Sequence, residues 1–252
     1  MGLFSIFRKN KKEEVVLPPF DFGYLEVDMH NHLLPGIDDG SSSMEHTIGM
    51  LLKFKEMGYK KLIFTPHVMQ DCYPNTPEII AEKLEEVKAE CKKLDIELEL
   101  SASAEYNIED SLMDKIKGNQ LVPFPDKYIL FEYSFFSKPN QTEQFIFELI
   151  VNGYKPIIAH FERYPYYFNQ PEIVSNYKEK GVLIQVNLLS IVGHYGPDVQ
   201  RQAHWLIDNG YVDFVATDCH RIDHLEILQR AATHPYFHKL KDLNLLNQHF
   251  WK

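Results

Sequence analysis

The stretch Tyr24-Leu25-Glu26-Val27-Asp28-Met29-His30-Asn31-His32 reads as a β-strand, Tyr24–Met29, that runs out into two histidines one residue apart. Side chains alternate along extended chain, so His30 and His32 point the same way beyond the strand's carboxyl end. Three later stretches repeat the arrangement. Thr65-Pro66-His67, Ala159-His160-Phe161-Glu162-Arg163 and Thr217-Asp218-Cys219-His220 each follow an apolar run of strand character. Chemistry-bearing side chains thus gather at one end of a set of strands, which is where α/β barrels build their sites.

Working outward, apolar β-branched runs recur at Lys61–Thr65, Ile96–Ser101, Tyr128–Phe131, Pro156–Ala159, Val182–Val186 and Val212–Ala216, with segments of helical period between them. In one of these, Ile80, Leu84, Val87, Cys91 and Leu94 mark a single buried face, and Thr76-Pro77 supplies its cap and first-turn proline. Ser41 to Ser43 cap an earlier helix. Gly58, Gly153, Gly181 and Gly210 each end a helix ahead of a strand. Strands alternating with helices imply a mostly parallel sheet. No glycine-rich phosphate loop follows the first strand, which argues against an open nucleotide-binding sheet. Ligand-type residues follow six of the seven strands, and a closed or nearly closed barrel brings such residues together. The expected fold is therefore α/β, a single-domain (β/α)7 TIM-like barrel without internal repeat, finished by an amphipathic helix from about Lys239 to Lys252.

Composition sets the outer limits. A chain of 252 residues suffices for one large domain with a buried core. A formal net charge of −10 argues against an extended nucleic-acid surface. Cys72, Cys91 and Cys219 are scattered without metal-knuckle or redox spacing, which points to a reducing, cytoplasmic setting. At the start, apolar Met1–Phe7 precedes basic Arg8-Lys9-Asn10-Lys11-Lys12, the reverse of a secretory signal, and Ile6 breaks the myristoylation pattern. The plain reading is a flexible leader, disordered to Pro18-Pro19 and taken here as residues 1–22, ahead of a barrel over 23–252. The alternative is a weak peripheral contact with the inner face of the membrane through the apolar wedge and lysines. No run is long enough to span a bilayer.

Each strand-end residue has a bland explanation when taken alone. Asp38-Asp39-Gly40 is a common turn, and a single loop histidine such as His67 needs no function. Together the set is harder to dismiss. Five histidines (His30, His32, His67, His160, His220) join Asp39, Glu105, Glu132 and Asp218, too many ligands for one ion and suited to two or three. Mixed nitrogen and oxygen donors favour Mn, Fe or Zn over Mg. His46, His194, His204, His224, His234, His238 and His249 lie in helices or connections and read as surface or core residues. Arg163 near several cations implies an anion between them, a phosphate by the shape of its fork, with a salt bridge to Glu162 or another loop carboxylate as the alternative. Tyr106, Tyr133, Phe135, Phe136 and Tyr164 place rings near the mouth, to line it or to pack its rim. No cysteine is followed by five residues and an arginine, which disfavours a cysteinyl-phosphate route.

Asp28-Met29-His30-Asn31-His32 with Asp38-Asp39-Gly40, Ala159-His160-Phe161-Glu162-Arg163-Tyr164 and Asp218-Cys219-His220 resemble the polymerase-and-histidinol-phosphatase (PHP) superfamily. Within it they are most similar to the manganese-dependent protein-tyrosine phosphatases of bacterial capsule and exopolysaccharide loci. The resemblance runs from about Tyr24 to the end of the chain. It implies a distorted seven-stranded barrel holding three divalent metals, Mn before Fe or Zn. His30, His32, Glu105 and Asp218 would take the first, Glu105, Glu132 and His160 the second, and Asp39 (rather than Asp38), His67 and His220 the third. Arg163 would be the catalytic and substrate-binding residue that grips the phosphate. Metal-activated hydroxide would attack phosphorus in line, and no residue is assigned as general acid. The implied partner is a phosphotyrosine protein, such as a tyrosine kinase controlling polysaccharide export. A small-molecule phosphoesterase, for example for histidinol phosphate, is the second enzyme reading. A metal-binding assembly factor without catalysis is the third.

Overall fold

The computed structural model describes residues 17–138 and 140–251. Among these residues nine strands, all paired in parallel, alternate with helices. They are β1 (Val27–Asp28), β2 (Lys61–Phe64), β3 (His67–Val68), β4 (Glu99–Ala102), β5 (Glu105–Asn107), β6 (Tyr128–Glu132), β7 (Lys155–Ile158), β8 (Leu183–Asn187) and β9 (Phe214–Ala216). The helices are α1 (Met44–Glu56), α2 (Pro77–Lys93), α3 (Asp110–Lys117), α4 (Thr142–Val151), α5 (Pro171–Glu179), α6 (Leu188–Ile191), α7 (Pro197–Asp208), α8 (Ile222–Arg230) and α9 (Pro235–Lys239). All seven expected strands are present. β3 and β5 are additional, being continuations of β2 and β4 past a break.

The break has a chemical cause. Pro66 has no N–H to donate to the ladder, and the chain around it steps sideways. Ser103 N–H still reaches Phe64 O (2.8 Å) and Glu105 N–H reaches Pro66 O (3.1 Å), so the neighbouring strand follows the same jog. The ladder is thereby divided into the orders β1-β2-β4 and β3-β5-β6-β7-β8-β9. Beyond β1, His32 N–H donates to Cys219 O and Asp218 N–H to His30 O, both at 2.9 Å, which joins the first strand's exit to the last. The result is a curled parallel α/β sheet with its carboxyl ends drawn together.

Local signals act as read. Thr76 caps α2 by accepting from Ile79 N–H, with Pro77 in the first turn, and Ser43 caps α1 by accepting from His46 N–H. Ile80, Val87 and Cys91 are buried on one face of α2, while Leu94 at its end is exposed. Gly58 is needed twice over. Its φ is +89°, and a Cβ there would lie 3.0 Å from Gly23 Cα.

Three expectations need correction. The first strand starts at Val27 rather than Tyr24, because Phe22–Leu25 form a 3₁₀ turn capped by the Asp21 carboxylate and Glu26 turns left-handed (φ 58°). Residues 18–22, assigned above to the leader, belong to the folded body. Phe20 and Phe22 are buried against Phe237, and Phe20 N–H donates to Ala232 O. The proposed membrane wedge of Met1–Lys12 lies outside the described residues. Finally, among the described residues no α-helix continues past Lys239. After α9 come two 3₁₀ turns, Leu240–Asp242 and Asn247–Trp251.

Tertiary contacts override helical period at that end. Leu246 N–H donates to Asp213 O, and buried Asn247 bonds the backbones of two strands at once: its Oδ1 accepts from Val215 N–H (3.1 Å), and its Nδ2 donates to Val215 O (2.7 Å) and Val27 O (3.1 Å). Phe250 stacks on Phe124 and Phe214 beneath the sheet. Among the described residues no helix is long and apolar enough to cross a membrane. Asn247→Ala should lower the unfolding free energy by about 2 kcal/mol, since it strands buried backbone groups of β1 and β9. Urea denaturation checks this, and an unchanged midpoint would deny the residue its bridging role.

Candidate active site

His30 and His32 leave β1 with their Nε2 atoms 3.2 Å apart, as alternation demands. Asn31 between them turns the other way, donating to Asp28 Oδ2 and Ile63 O. The loop that follows folds back on His32. At Gly40 a Cβ would sit 2.0 Å from His32 O, so only glycine permits this return. The return separates the two aspartates. Asp38 Oδ2 accepts from His32 Nδ1 (2.8 Å) and from His67 N–H (3.2 Å), whereas Asp39 Oδ1 lies 3.5 Å from the Nε2 atoms of both His67 and His220.

Glu105, fully buried on β5, stands at the centre. Its Oε2 is 3.2 Å from His30 Nε2, 3.4 Å from His32 Nε2 and 3.1 Å from His67 Nδ1, and its Oε1 is 3.0 Å from His160 Nε2. Glu132, ending β6, reaches His67 Nδ1 at 3.1 Å and His160 Nε2 at 3.7 Å. Asp218 Oδ1 lies 3.4 Å from both His30 and His32 Nε2. His160 (φ 33°) and Asp218 (φ 49°) adopt left-handed backbone, a strain that side chains tolerate only where their surroundings compel it.

All nine strand-end residues therefore converge. Their donor atoms fall into four groups able to hold a cation: His32–Asp39–His67–His220, His30–His32–Glu105, His30–His160–Asp218 and His67–Glu105–Glu132. The first contains the expected third set with His32 added. The members of the other two expected sets are distributed over the remaining groups.

The electrostatics fit cations. With Nδ1–H of His30 donated to Gln185 Oε1 (3.1 Å) and Nδ1–H of His32 donated to Asp38, each ring turns an Nε2 lone pair toward the other. Two lone pairs at that distance need positive charge between them. His67 Nδ1, Glu105 Oε2, Glu132 Oε1 and His160 Nδ1 are buried without a hydrogen-bond partner, as donors meant for an ion are. In the ion-free protein, protons serve instead. Burial opposes charge on His67, yet Glu105 and Glu132 outweigh it and lift its pKa to about 9. Burial is likewise overcome at His30 by Glu105 and Asp218, and at His32 chiefly by Asp38; both are raised. Burial would raise Glu105 and Asp218, but the imidazoles hold both well below the usual carboxylate range. The hydrogen bond to His220 is the main cause that brings Asp39 down to about 2.

β8, the one strand from which no ligand was expected, supplies the support. Gln185 Oε1 accepts from His30 Nδ1–H and from His160 N–H (2.8 Å), its Nε2 donates to Asn187 Oδ1 (2.8 Å), and Asn187 Nδ2 donates to Asp218 Oδ2 (2.7 Å). Each amide thus has a single consistent orientation, and the chain ties His30 to Asp218. The available signal was Gln185-Val186-Asn187, two polar residues at strand spacing on an apolar run.

Arg163 Nη1 donates to Asp218 Oδ2 (3.2 Å), and its guanidinium lies between the rings of Phe135 (4.4 Å) and Tyr195 (4.2 Å). Glu162 is not its partner. That carboxylate is buried, accepts from Asn187 N–H and Ser190 Oγ–H, and has its pKa raised by burial. The mouth, about 350 Å³, is lined by Arg163 and by six of the nine strand-end residues. His194 and His224, read as surface or core, both line this mouth, as do Tyr195 and Arg221. Of the five aromatics only Phe135 lines it. Tyr106, Tyr133 and Tyr164 are buried and Phe136 is 97% exposed. Depressions of about 510 and 710 Å³ elsewhere contain none of the nine.

Known proteins are similar to this chain. The tyrosine-protein phosphatase YwqE of Bacillus subtilis (strain 168) is 30% identical over 197 residues, 78% of each chain. CapC of Staphylococcus aureus is 32% identical over 199 residues, 78% of this chain and 77% of that one. A crystal structure from the pair YwqE of B. subtilis and CpsB of Streptococcus pneumoniae, metal-dependent tyrosine phosphatases, matches with a TM-score of 0.76 at 27% identity, over 89% of this chain and 94% of that chain. An amidohydrolase from Mycoplasma synoviae, 13% identical with a TM-score of 0.55 over 89% of this chain and 87% of its own, shares the fold alone. The family described as capsular polysaccharide synthesis, CpsB/CapC, matches residues 26–233, and the chain belongs to it.

Proposed function

We propose that this chain is a metal-dependent tyrosine phosphatase acting on a phosphotyrosine protein, with a tyrosine kinase of capsular or exopolysaccharide synthesis as its partner. The observation that carries this is the buried pair of Nε2 lone pairs, with Glu105 and Asp218 within 3.4 Å of both and an arginine bonded to that same Asp218 at the mouth. The phosphatases among its relatives support the substrate class. In this reading the curled sheet is a distorted (β/α)7 barrel, one domain from about Pro18 onward, working in the cytoplasm. Three divalent cations, Mn foremost, are assigned to His30, His32, Glu105 and Asp218; to Glu105, Glu132 and His160; and to Asp39, His67 and His220. Such cations supply Lewis-acid charge to phosphoryl oxygens and make water more acidic.

The chain's own residues do the rest. Arg163 offers a planar fork to two phosphoryl oxygens, and the flanking rings fix that fork before substrate arrives. Asp218 stays in place when the arginine turns to the phosphate, because Asn187 holds the same carboxylate oxygen. Phe135 and Tyr195 also wall the entrance, where an aryl leaving group would lie. A phenolate leaves with little protonation, so no general acid is assigned.

Metal-stripped protein should regain hydrolysis of a phosphotyrosine peptide on adding Mn, with histidinol phosphate turned over more slowly in parallel. The reverse preference would move the substrate class to small molecules. His160→Ala should abolish turnover in a folded protein with fewer bound cations, and full activity in that variant would refute the site. Arg163→Ala should raise KM and lower kcat, costing on the order of 100-fold in kcat/KM; an unaltered kcat/KM would leave the arginine only its contact with Asp218.

The raised histidines give a further test. Cations need deprotonated Nε2 atoms, and His67 keeps its proton up to about 9. Binding near neutral pH should therefore release protons, and apparent affinity should fall as pH falls. Titration calorimetry in buffers of different ionisation enthalpy counts those protons; none released would contradict the assignment. In the ion-free protein the sign reverses. The His67 contribution to stability is complete below its ordinary value of 6.5 and is lost as pH rises through about 9.

A further inference from the structure

We infer that the groove between the first turns of α1 and the start of α8 receives the polypeptide flanking the phosphotyrosine, an apolar side chain next to that residue being its main occupant. This rests on the phosphatase reading above. The mouth, at about 350 Å³, is at the small end for a ligand pocket, and a phosphorylated aryl group takes up most of it. Backbone on either side of that residue must run over the adjoining surface. A groove of about 660 Å³ begins there, and Asp39, His220 and Arg221 line both spaces. The depressions of about 510 and 710 Å³ share no lining residue with the mouth.

The groove's chemistry selects its occupant. Its floor is Met50, Gly49 and Ile222, the last left 45% exposed at the first position of α8. On its charged wall Arg221 is neutralised by donating through Nε and Nη2 to the two carboxylate oxygens of Asp223 at 3.1 and 3.3 Å, while Asp39 and Glu45 stand on the same rim. Between these polar side chains the floor leaves apolar surface open to water, which an apolar side chain would cover. Gly49 keeps the floor low. A Cβ built there meets only Ile222 Cδ1, at 3.9 Å, so a larger side chain would rise into free space within the groove.

That makes Gly49 the test. Gly49→Leu and Gly49→Phe fill the groove from a helical position where glycine is the weaker helix former, so the fold should hold, as a thermal melt would register. Mn-loaded protein would be assayed on a phosphotyrosine peptide with apolar flanking residues and on p-nitrophenyl phosphate, which ends at the mouth. Both variants should lose on the order of ten-fold in kcat/KM on the peptide, mainly through KM, and stay within about two-fold on the small ester. Ile222→Ser should lose on the peptide in the same selective way. Equal losses on both substrates, or no loss on the peptide, would overturn the groove while leaving the phosphatase reading intact. A wild-type protein inactive on both substrates with Mn bound would instead overturn the phosphatase reading, and the groove with it.

Discussion

Two imidazole nitrogens facing each other at 3.2 Å in a buried space form the constraint on which the rest of this site depends. Their second nitrogens are committed to Gln185 and Asp38, so neither ring can turn its lone pair elsewhere. Something positive must lie between them. Without an ion that role falls to protons: Glu105 and Asp218 raise His30 and Asp38 raises His32, while the imidazoles hold Glu105 and Asp218 low despite burial. A buried charge network of this density is poor stabilisation in itself, because desolvation offsets much of the attraction. Its presence at the one place where the strands converge is better explained by chemistry than by folding.

Holding the pair requires backbone that ordinary strands do not provide. Pro66 breaks the ladder so that His67 and Glu105 move inward on their own short strands. His160 and Asp218 take left-handed turns as they leave β7 and β9, and Gly40 lets the Asp38-Asp39 loop lie against His32. The Gln185–Asn187 chain then spans the site from beneath. Removing one amide from it would free both a histidine tautomer and a carboxylate rotamer, so first contacts and supporting contacts cannot be varied independently.

Much of this was legible in the sequence because it depends on local pattern. Strand positions, the Thr76-Pro77 start of α2 and the same-side placement of His30 and His32 follow from period and capping alone. Asp38 and Asp39 were indistinguishable as neighbours in a turn; the return at Gly40 distinguishes them. The inward reach of His194 and His224 could not be read, since it depends on how α6, α8 and their loops pack rather than on any strand end. At the carboxyl end, Asn247 and Phe250 have a helical spacing of three, yet their partners are Val27, Val215, Phe124 and Phe214 from distant segments. Long-range partners of that kind leave no periodic trace. Gln185 and Asn187 did leave one, and it was hidden only because neither residue is a usual ligand.

Charge balance accounts for the company Arg163 keeps. With Asp38 held ionised beside His32, the cluster carries five carboxylates, and the three dications proposed leave it one positive charge. Arg163 adds a further positive charge, which has to be accommodated while no anion is present. Asp218 and the negative faces of Phe135 and Tyr195 do so, at 3.2, 4.4 and 4.2 Å. None of these holds the guanidinium bidentately, so a phosphoryl group that offers two oxygens is the stronger partner. The arginine is thus restrained enough to be ready and loosely enough to be taken, and the rings that restrain it are the same ones a departing phenol must pass.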